Sequence, residues 1–508
     1  MYHIKNISVA SVLIILIVPI SFFIVHGEQW IGKLNYYLFI LFIFGCFALA
    51  VMRANDKILI AALIFFLTFN ADYPLIYHVQ IAGGTRPTPE IWLIDIPLLI
   101  LLLKYIIKGS YLKETLPVDK KFKVLLFVFI IWEAITIFNA INYQSVVFQI
   151  VKDLRYFSIF FVLFLFINND VKRLHFVIVA LFCTIIFQNS WAIIQFIKQS
   201  TFNLSVLGET PVERVELDLL ERYTGETFTI FGLKFGKYVS GFTGSSYLLA
   251  RENLLLFPLV MSMYLSGRYI ANKVVHITGM FLMVLGLIFG FSKSAWISVF
   301  MAFTVIFILE IKYKRMALWK IRFWILFFAA ISTLFGRLLY LRLFKTNLSD
   351  SFDSRILLIT FGIERFLEHP LMGVGANNIW LYFNNMWYKP TTVHNLYVLF
   401  LSEIGLVGLL IFLAIMLFIL LKTISINKSE PYYYAISVGL TASFVAFYWD
   451  ELWTWLYRYN PVGCLFWALC AIAFAAYNIA NSNCKKQQAT TSSRIRMEKE
   501  GTSYAISR

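Results

Sequence analysis

Two side chains in the C-terminal half of the chain, Arg355 and His394, have the types and settings to hold an anion and to take up a proton, and a glycine-bearing turn lies between them. Arg355 follows Asp350-Ser351-Phe352-Asp353-Ser354, which offers helix caps. It precedes Ile356, Ile359, Ile363 and Leu367 at helical spacing, until Pro370 stops the run. This pattern predicts an amphipathic helix lying at the outer membrane surface. A cation in its first turn opposes the helix dipole by about 0.3–1 kcal/mol, a cost that an anion held jointly by the helix start and Arg355 would offset. A solvated surface arginine is the plain alternative.

His394 opens the next apolar run, and a histidine at a helix N-terminus favours the neutral imidazole, the form that accepts a proton. Glu403 lies nine residues on, about 13.5 Å deeper and about 2.5 turns round, on the opposite face. It cannot orient His394. The expectation is that Glu403 meets a polar group of a neighbouring helix, with Gly405 and Gly408 allowing close approach. Between the two lies His369-Pro370-Leu371-Met372-Gly373-Val374-Gly375-Ala376-Asn377-Asn378. No strand precedes its Gly-x-Gly and no GK[ST] follows, so a tight turn is expected rather than a nucleotide loop.

Other basic residues sit at the ends of apolar runs. Arg251, beside Glu252, reads either as a phosphate contact or as half of an intramembrane ion pair. Arg337, Arg342 and Arg155 are weaker candidates, for which surface anchoring is favoured. The aromatic-dense segment 450–459 could stack on sugars, but an interfacial belt is the favoured reading.

The elements that must position these groups follow from composition. Apolar residues make up 60% of the 508, charged ones only 14%, and the formal net charge is +16. That excludes a soluble enzyme, a disordered protein and a disulfide-stapled domain. The five cysteines are scattered, without metal-ligand spacing. Apolar runs at 8–25, 34–51, 57–77, 91–107, 122–138, 156–168, 174–197, 246–265, 274–291, 294–311, 323–336, 395–421, 432–449 and 461–481 predict an all-α polytopic inner-membrane helical bundle of about 14 spans, in a range of about 12–14. The first run has no small-residue cleavage site after it and is read as a retained span.

With the N-terminus in the cytoplasm, nearly all the positive excess falls on the inside loops, as the positive-inside rule requires. The charge is a topology signal, scattered over short loops, and nucleic-acid binding is not indicated. Both termini are then cytoplasmic and two long loops, 198–245 and 337–394, face outward. The first should hold a small helix at 212–222 and a β-ribbon within 227–242, packed as a lid. The chain divides into N-terminal spans 1–197, the loop 198–245, a unit at 246–424 that includes the loop 337–394, spans 425–481, and a disordered tail 482–508.

Arg355, the His369-Pro370-Leu371-x-Gly373-x-Gly375 stretch, and His394-Asn395 followed by Glu403, Gly405 and Gly408 resemble the domain shared by bacterial O-antigen ligases and the O-antigen and exopolysaccharide polymerases. The resemblance extends upstream to Gly290-Phe291-Ser292-Lys293-Ser294-Ala295-Trp296, where the family usually reads Ser-Arg-small-Ala, and covers about 241–424. It implies a glycosyltransferase that moves a glycan from undecaprenyl pyrophosphate to an acceptor hydroxyl, on lipid A core or another glycan, at the outer face of the inner membrane. It implies neither metal nor nucleotide cofactor.

Carried over, Arg355 and Lys293 would hold the pyrophosphate, with Arg251 as a possible substitute for the missing guanidinium. His394 would be the base or positioning group, supported by Asn395 and Glu403. Lys293 departs from the family pattern, a point charge replacing a bidentate fork. The competing class is a transporter or flippase of lipid-linked oligosaccharide. It would place polar groups near the midplane of repeated halves, whereas here they gather at outer span ends.

Overall fold

The computed structural model describes residues 55–74, 90–107, 118–204, 207–209, 228–230, 233–235, 239–313, 315, 317–341, 348–383 and 392–505. The expected spans at 8–25 and 34–51, the small helix at 212–222 and Arg342 lie outside the described residues. In chain order the elements are α1 (Asp56–Phe66), β1 (Asp72–Pro74), β2 (Glu90–Trp92), α2 (Asp95–Ile107), α3 (Lys120–Ile135), α4 (Tyr143–Ile167) and α5 (Val171–Lys198). Then come β3 (Phe228–Ile230), β4 (Leu233–Phe235), α6 (Ser246–Leu265), α7 (Lys273–Phe289), α8 (Lys293–Lys312), α9 (Leu318–Tyr340) and α10 (Leu348–Glu368). The short α11 (Ile379–Phe383), α12 (Leu396–Ile424), α13 (Pro431–Asp450) and α14 (Asn460–Ala505) complete the chain.

The protein is a polytopic membrane helical bundle. Among the described residues six helices are long and apolar enough to cross a membrane: Lys120–Asn139, Val171–Lys198, Ser246–Leu265, Lys293–Lys312, Leu396–Ile424 and Asn460–Ser482. Five of their starts are set by side-chain caps: Asp119, Asp170, Ser245, Ser292 and Asn395 each accept an orphan amide of the first turn. Helix α6 is the hub. It is buried on nearly every side, packed by α7, α8, α13, α14 and α5, as expected of a helix that is apolar all round. Its polar residues must therefore find partners inside the bundle: Asn253 exchanges side-chain hydrogen bonds of 2.9 Å with Asn189 of α5.

Several expected boundaries move. The run 57–77 is not one span: α1 ends at Phe66, where Thr68 is taken by the Gln188 amide (2.9 Å) and the Asn70 amide donates to Phe242 O (2.9 Å). The chain then enters the β1–β2 hairpin, with Tyr73 opposite Ile91. The run 156–168 is the C-terminal part of a longer helix, because Asn142 caps α4 at Tyr143 and the polar residues Ser145, Gln149 and Asp153 of its first turns are buried, with Gln149 bonded to Asp153 (2.7 Å). The expected β-ribbon is present as β3 paired with β4, Phe228 opposite Phe235. Helix α14 runs to Ala505, with no Gly or Pro between 464 and 500 to interrupt a helix already nucleated in the apolar segment.

Helix α10 spans Leu348–Glu368 and buries one face against the protein. Leu358 and Phe361 are buried, together with Val374, Ile379, Phe383, Val393, Leu399 and Trp455, in a small core separate from the main one. Of the predicted stripe, Ile356, Ile363 and Leu367 are exposed, while Ile359 is half-buried against this small core. On a helical wheel this exposed apolar arc is flanked on one side by the buried arc and on the other by exposed Asp353, Glu364 and Glu368. Such a helix has one side each for protein, apolar surroundings and water.

Candidate active site

The starts of α6, α8, α12 and α14 and the ends of α3 and α13 meet at one end of the bundle, joined by side-chain bonds between them. His394 sits there, immediately before the Asn395 cap, whose side chain accepts the amides of Tyr397 and Val398 (both 3.0 Å). The His394 Nδ1 lies 3.0 Å from Thr392 O. A carbonyl can only accept, so Nδ1 carries the proton and donates it there. That leaves Nε2 as the basic nitrogen. Burial and the positive charge of Arg355 hold the imidazole below its ordinary value, against the opposing hydrogen bond to Thr392. Arg355 is on the exposed side of α10. The fold thus brings the two leading sequence candidates within electrostatic range of each other.

Glu403 does meet a neighbouring element, but its role is to hold the 369–379 turn. Its carboxylate accepts the Asn377 amide (3.0 Å) and the Ile379 amide (3.4 Å), and pairs with Arg458 Nη2 at 2.5 Å. The rest of the turn is equally committed. Val374 N donates to Ser402 O and Gly375 N to Glu403 O (both 2.9 Å), Gly373 N to His369 O (2.8 Å), and Ala376 N to Thr136 Oγ1 (3.1 Å). With these amides spent inside the protein, the Gly-x-Gly cannot cradle a phosphate.

The turn docks where α12 is broken. Gly405 has φ +69 and ψ −176, a conformation essentially reserved for glycine, and its Cα faces the Leu371 carbonyl so closely that a Cβ would collide with it. Leu406 N donates to Pro370 O (2.9 Å) across this break. Gly405→Ala is expected to cost about 1–3 kcal/mol from the backbone conformation alone, with the collision added. The measurement is the unfolding midpoint of the detergent-solubilised protein. An unchanged midpoint would show that the turn is not seated there.

Arg251 is not paired with Glu252. Consecutive helical residues point about 100° apart, and the Arg251 Nε instead binds Asp450 Oδ2 at 2.9 Å across the bundle. Its other nitrogens donate to Ser292 Oγ (2.6 Å) and Ser294 Oγ (2.5 Å), the residues on either side of Lys293. At 2% exposed it is an internal brace of the turn that carries Lys293 rather than an outward-facing anion contact. The Glu252 carboxylate is buried with no hydrogen-bond partner among the described residues. Lys293 itself is half-buried in the first turn of α8. Arg155 is likewise internal, gripping Asp95 through Nε (2.6 Å) and Nη2 (2.9 Å) and reaching Glu90 O (3.0 Å). Arg337 is exposed near the end of α9.

The segment 450–459 is the part of the site that the sequence did not reveal. Apart from exposed Trp453 it is not an interfacial belt: Asp450, Glu451, Trp455, Tyr457 and Arg458 are all buried. Asp450 binds Arg251, Leu452 O accepts the Asn395 side-chain amide (2.9 Å), and Arg458 pairs with Glu403. One short strap therefore joins the Lys293 turn, the His394 helix start and the 369–379 turn. The signal available in advance was its content of two acids and an arginine in an otherwise apolar stretch.

Residues 278–413 match the family model described as O-antigen ligase. This stretch is similar to an O-antigen ligase domain. Lys293, Arg355, His394, Asn395 and Glu403 all fall inside it, whereas Arg251 and the strap lie outside its limits. No curated protein matches the chain. The ligase-type domain is thus completed by flanking segments: the brace of its first cation comes from α6 and the support of its histidine from the loop after α13.

Proposed function

We propose that the protein transfers a glycan from undecaprenyl pyrophosphate to an acceptor hydroxyl, at the extracytoplasmic face of the inner membrane. The acceptor is lipid A core or another glycan chain. The observation that carries this reading is the pairing of a neutral histidine, its Nε2 free of the Thr392 bond, with Arg355 in electrostatic range at one end of the ligase-type bundle. The exposed apolar stripe of α10 supports placing Arg355 at the level of lipid phosphates. The opposite end carries Lys422 against Asp119 and Arg315 against Lys428 O, the basic side that the positive-inside rule assigns to the cytoplasm.

In this reaction the acceptor oxygen attacks the anomeric carbon and the bond from that carbon to the pyrophosphate oxygen breaks. The acceptor proton passes to His394 Nε2. Undecaprenyl pyrophosphate leaves with the bonding electron pair, its growing negative charge met by Arg355 and Lys293. Arg355→Ala is expected to lower transfer about 10²–10³-fold, the cost of deleting one aimed charge, while protein level persists. Arg355→Lys should keep part of the rate, since charge remains and the fork is lost. The assay uses the full-length protein in lipid vesicles with a lipid-pyrophosphate-linked glycan and an acceptor glycan. Near-normal transfer by Arg355→Ala would remove that residue from the site.

A further inference from the structure

The strap between α13 and α14 surrounds residues 394–396 more completely than their own helix does. The Leu396 amide donates to two strap carbonyls at once, Glu451 O (3.0 Å) and Thr454 O (2.8 Å). Leu452 O takes the Asn395 side chain from the same side. Trp455 then places its ring edge-on to His394, centroids 6.3 Å apart at 75°. The indole is itself fixed, 4% exposed and packed 4.9 Å from Tyr459. It also belongs to the small core that contains Leu358 and Phe361 of α10, the helix that bears Arg355. The strap is stiffened from within, by Trp453 N on Asp450 O (2.9 Å), Tyr457 N on Glu451 Oε1 (3.0 Å) and Arg458 N on Trp455 O (3.2 Å).

We propose that Trp455 is a positioning residue for the transfer reaction: it sets the plane and dryness of the His394 ring and holds that ring in register with the helix carrying Arg355. This rests on the reading of His394 as proton acceptor. The ring's own hydrogen bond from Nδ1 to Thr392 O restrains its rotation and the Asn395 cap fixes the helix start, but neither keeps water off the ring's open face. A buried indole packed edge-on against the imidazole excludes solvent from it and adds a second restraint on its plane.

The charged and titratable groups around the imidazole leave Trp455 room to act on it. Arg355 of α10 acts on it electrostatically. On the strap, Glu451 turns its carboxylate to the Tyr457 amide and Asp450 turns to Arg251. On the histidine's own helix, Tyr397 donates its hydroxyl to Tyr448 O of α13. Replacing the indole therefore changes hydration at the ring without deleting a charge.

The test is the pH profile of kcat/KM for the full-length protein in vesicles, as wild type, Trp455→Phe and Trp455→Leu. Activity is lost as pH falls and His394 becomes protonated, so hydrating the ring should move the acid limb upward. For Trp455→Leu the expected shift is about one pH unit toward the ordinary imidazole value of about 6.5, with kcat/KM at the plateau down about tenfold. Trp455→Phe should shift the limb in the same direction by less. Loss of rate equal at every pH with an unmoved limb, or unchanged kinetics, overturns the proposal. If Trp455→Leu does not accumulate in the membrane, the Phe variant alone decides by the same two criteria. Retention of transfer by His394→Ala in the same vesicles would instead sink the reading of the base, whatever Trp455 does.

Discussion

Replacing His394 with alanine is expected to lower glycan transfer by about 10²–10⁴-fold, the usual contribution of a positioned base. The same change should leave the protein folded, because the ring contributes one hydrogen bond, to Thr392 O, and one edge contact, to Trp455. The pH dependence of the wild type gives a second check. Burial and Arg355 both favour the neutral imidazole, so its titration lies below the ordinary value. Transfer should therefore persist into mildly acidic solution and fall only below about pH 6.5. In Arg355→Lys the cation remains and the limb should stay low. Transfer by His394→Ala at more than about a tenth of the wild-type rate would assign the proton to another group.

Replacing Asp450 with alanine should produce a large loss of stability. Arg251 and Asp450 are both buried, and removing the carboxylate leaves a guanidinium in an apolar bundle with only hydroxyl and carbonyl partners. Breaking a buried pair in this way costs about 3–5 kcal/mol. Asp450→Asn keeps hydrogen-bonding atoms and loses the charge, so its cost should be smaller. The readout is the thermal midpoint of the purified protein in detergent. A midpoint for Asp450→Ala equal to that of wild type would mean that Glu252, one residue from Arg251 and otherwise unpartnered among the described residues, takes over the charge. The companion variant Glu252→Gln would then become destabilising.

The helical character of the bundle was legible because hydrocarbon leaves the backbone one local way to satisfy its polar groups, and apolar runs of the right length follow from that. The apolar runs 122–138, 174–197 and 294–311 marked helix starts to within a few residues, and the structure shows Asp119, Asp170 and Ser292 capping them. Arg355, His394 and Glu403 stood out because charged or titratable residues are few in such a chain, and the ligase-type domain that holds them is found where those residues lie. The end of α1 was not legible. An apolar run of span length was cut by a contact between Asn70 and Phe242, 172 positions apart, which no local pattern encodes.

The site's internal wiring belongs to the same kind of information. The partner of Arg251 depends on how far α6 and α13 slide and rotate against each other, and a 100° step separates the neighbour Glu252 from the face that meets Asp450. The inward face of α10 was likewise set by the packing of Leu358 and Phe361 beneath Trp455, not by its most regular stripe. Composition and spacing specify which residues lie in the membrane and which can carry chemistry, since both follow from single residues and short-range geometry. Which charges neutralise one another, and which ring shields the histidine, are consequences of three-dimensional packing between segments far apart in the chain.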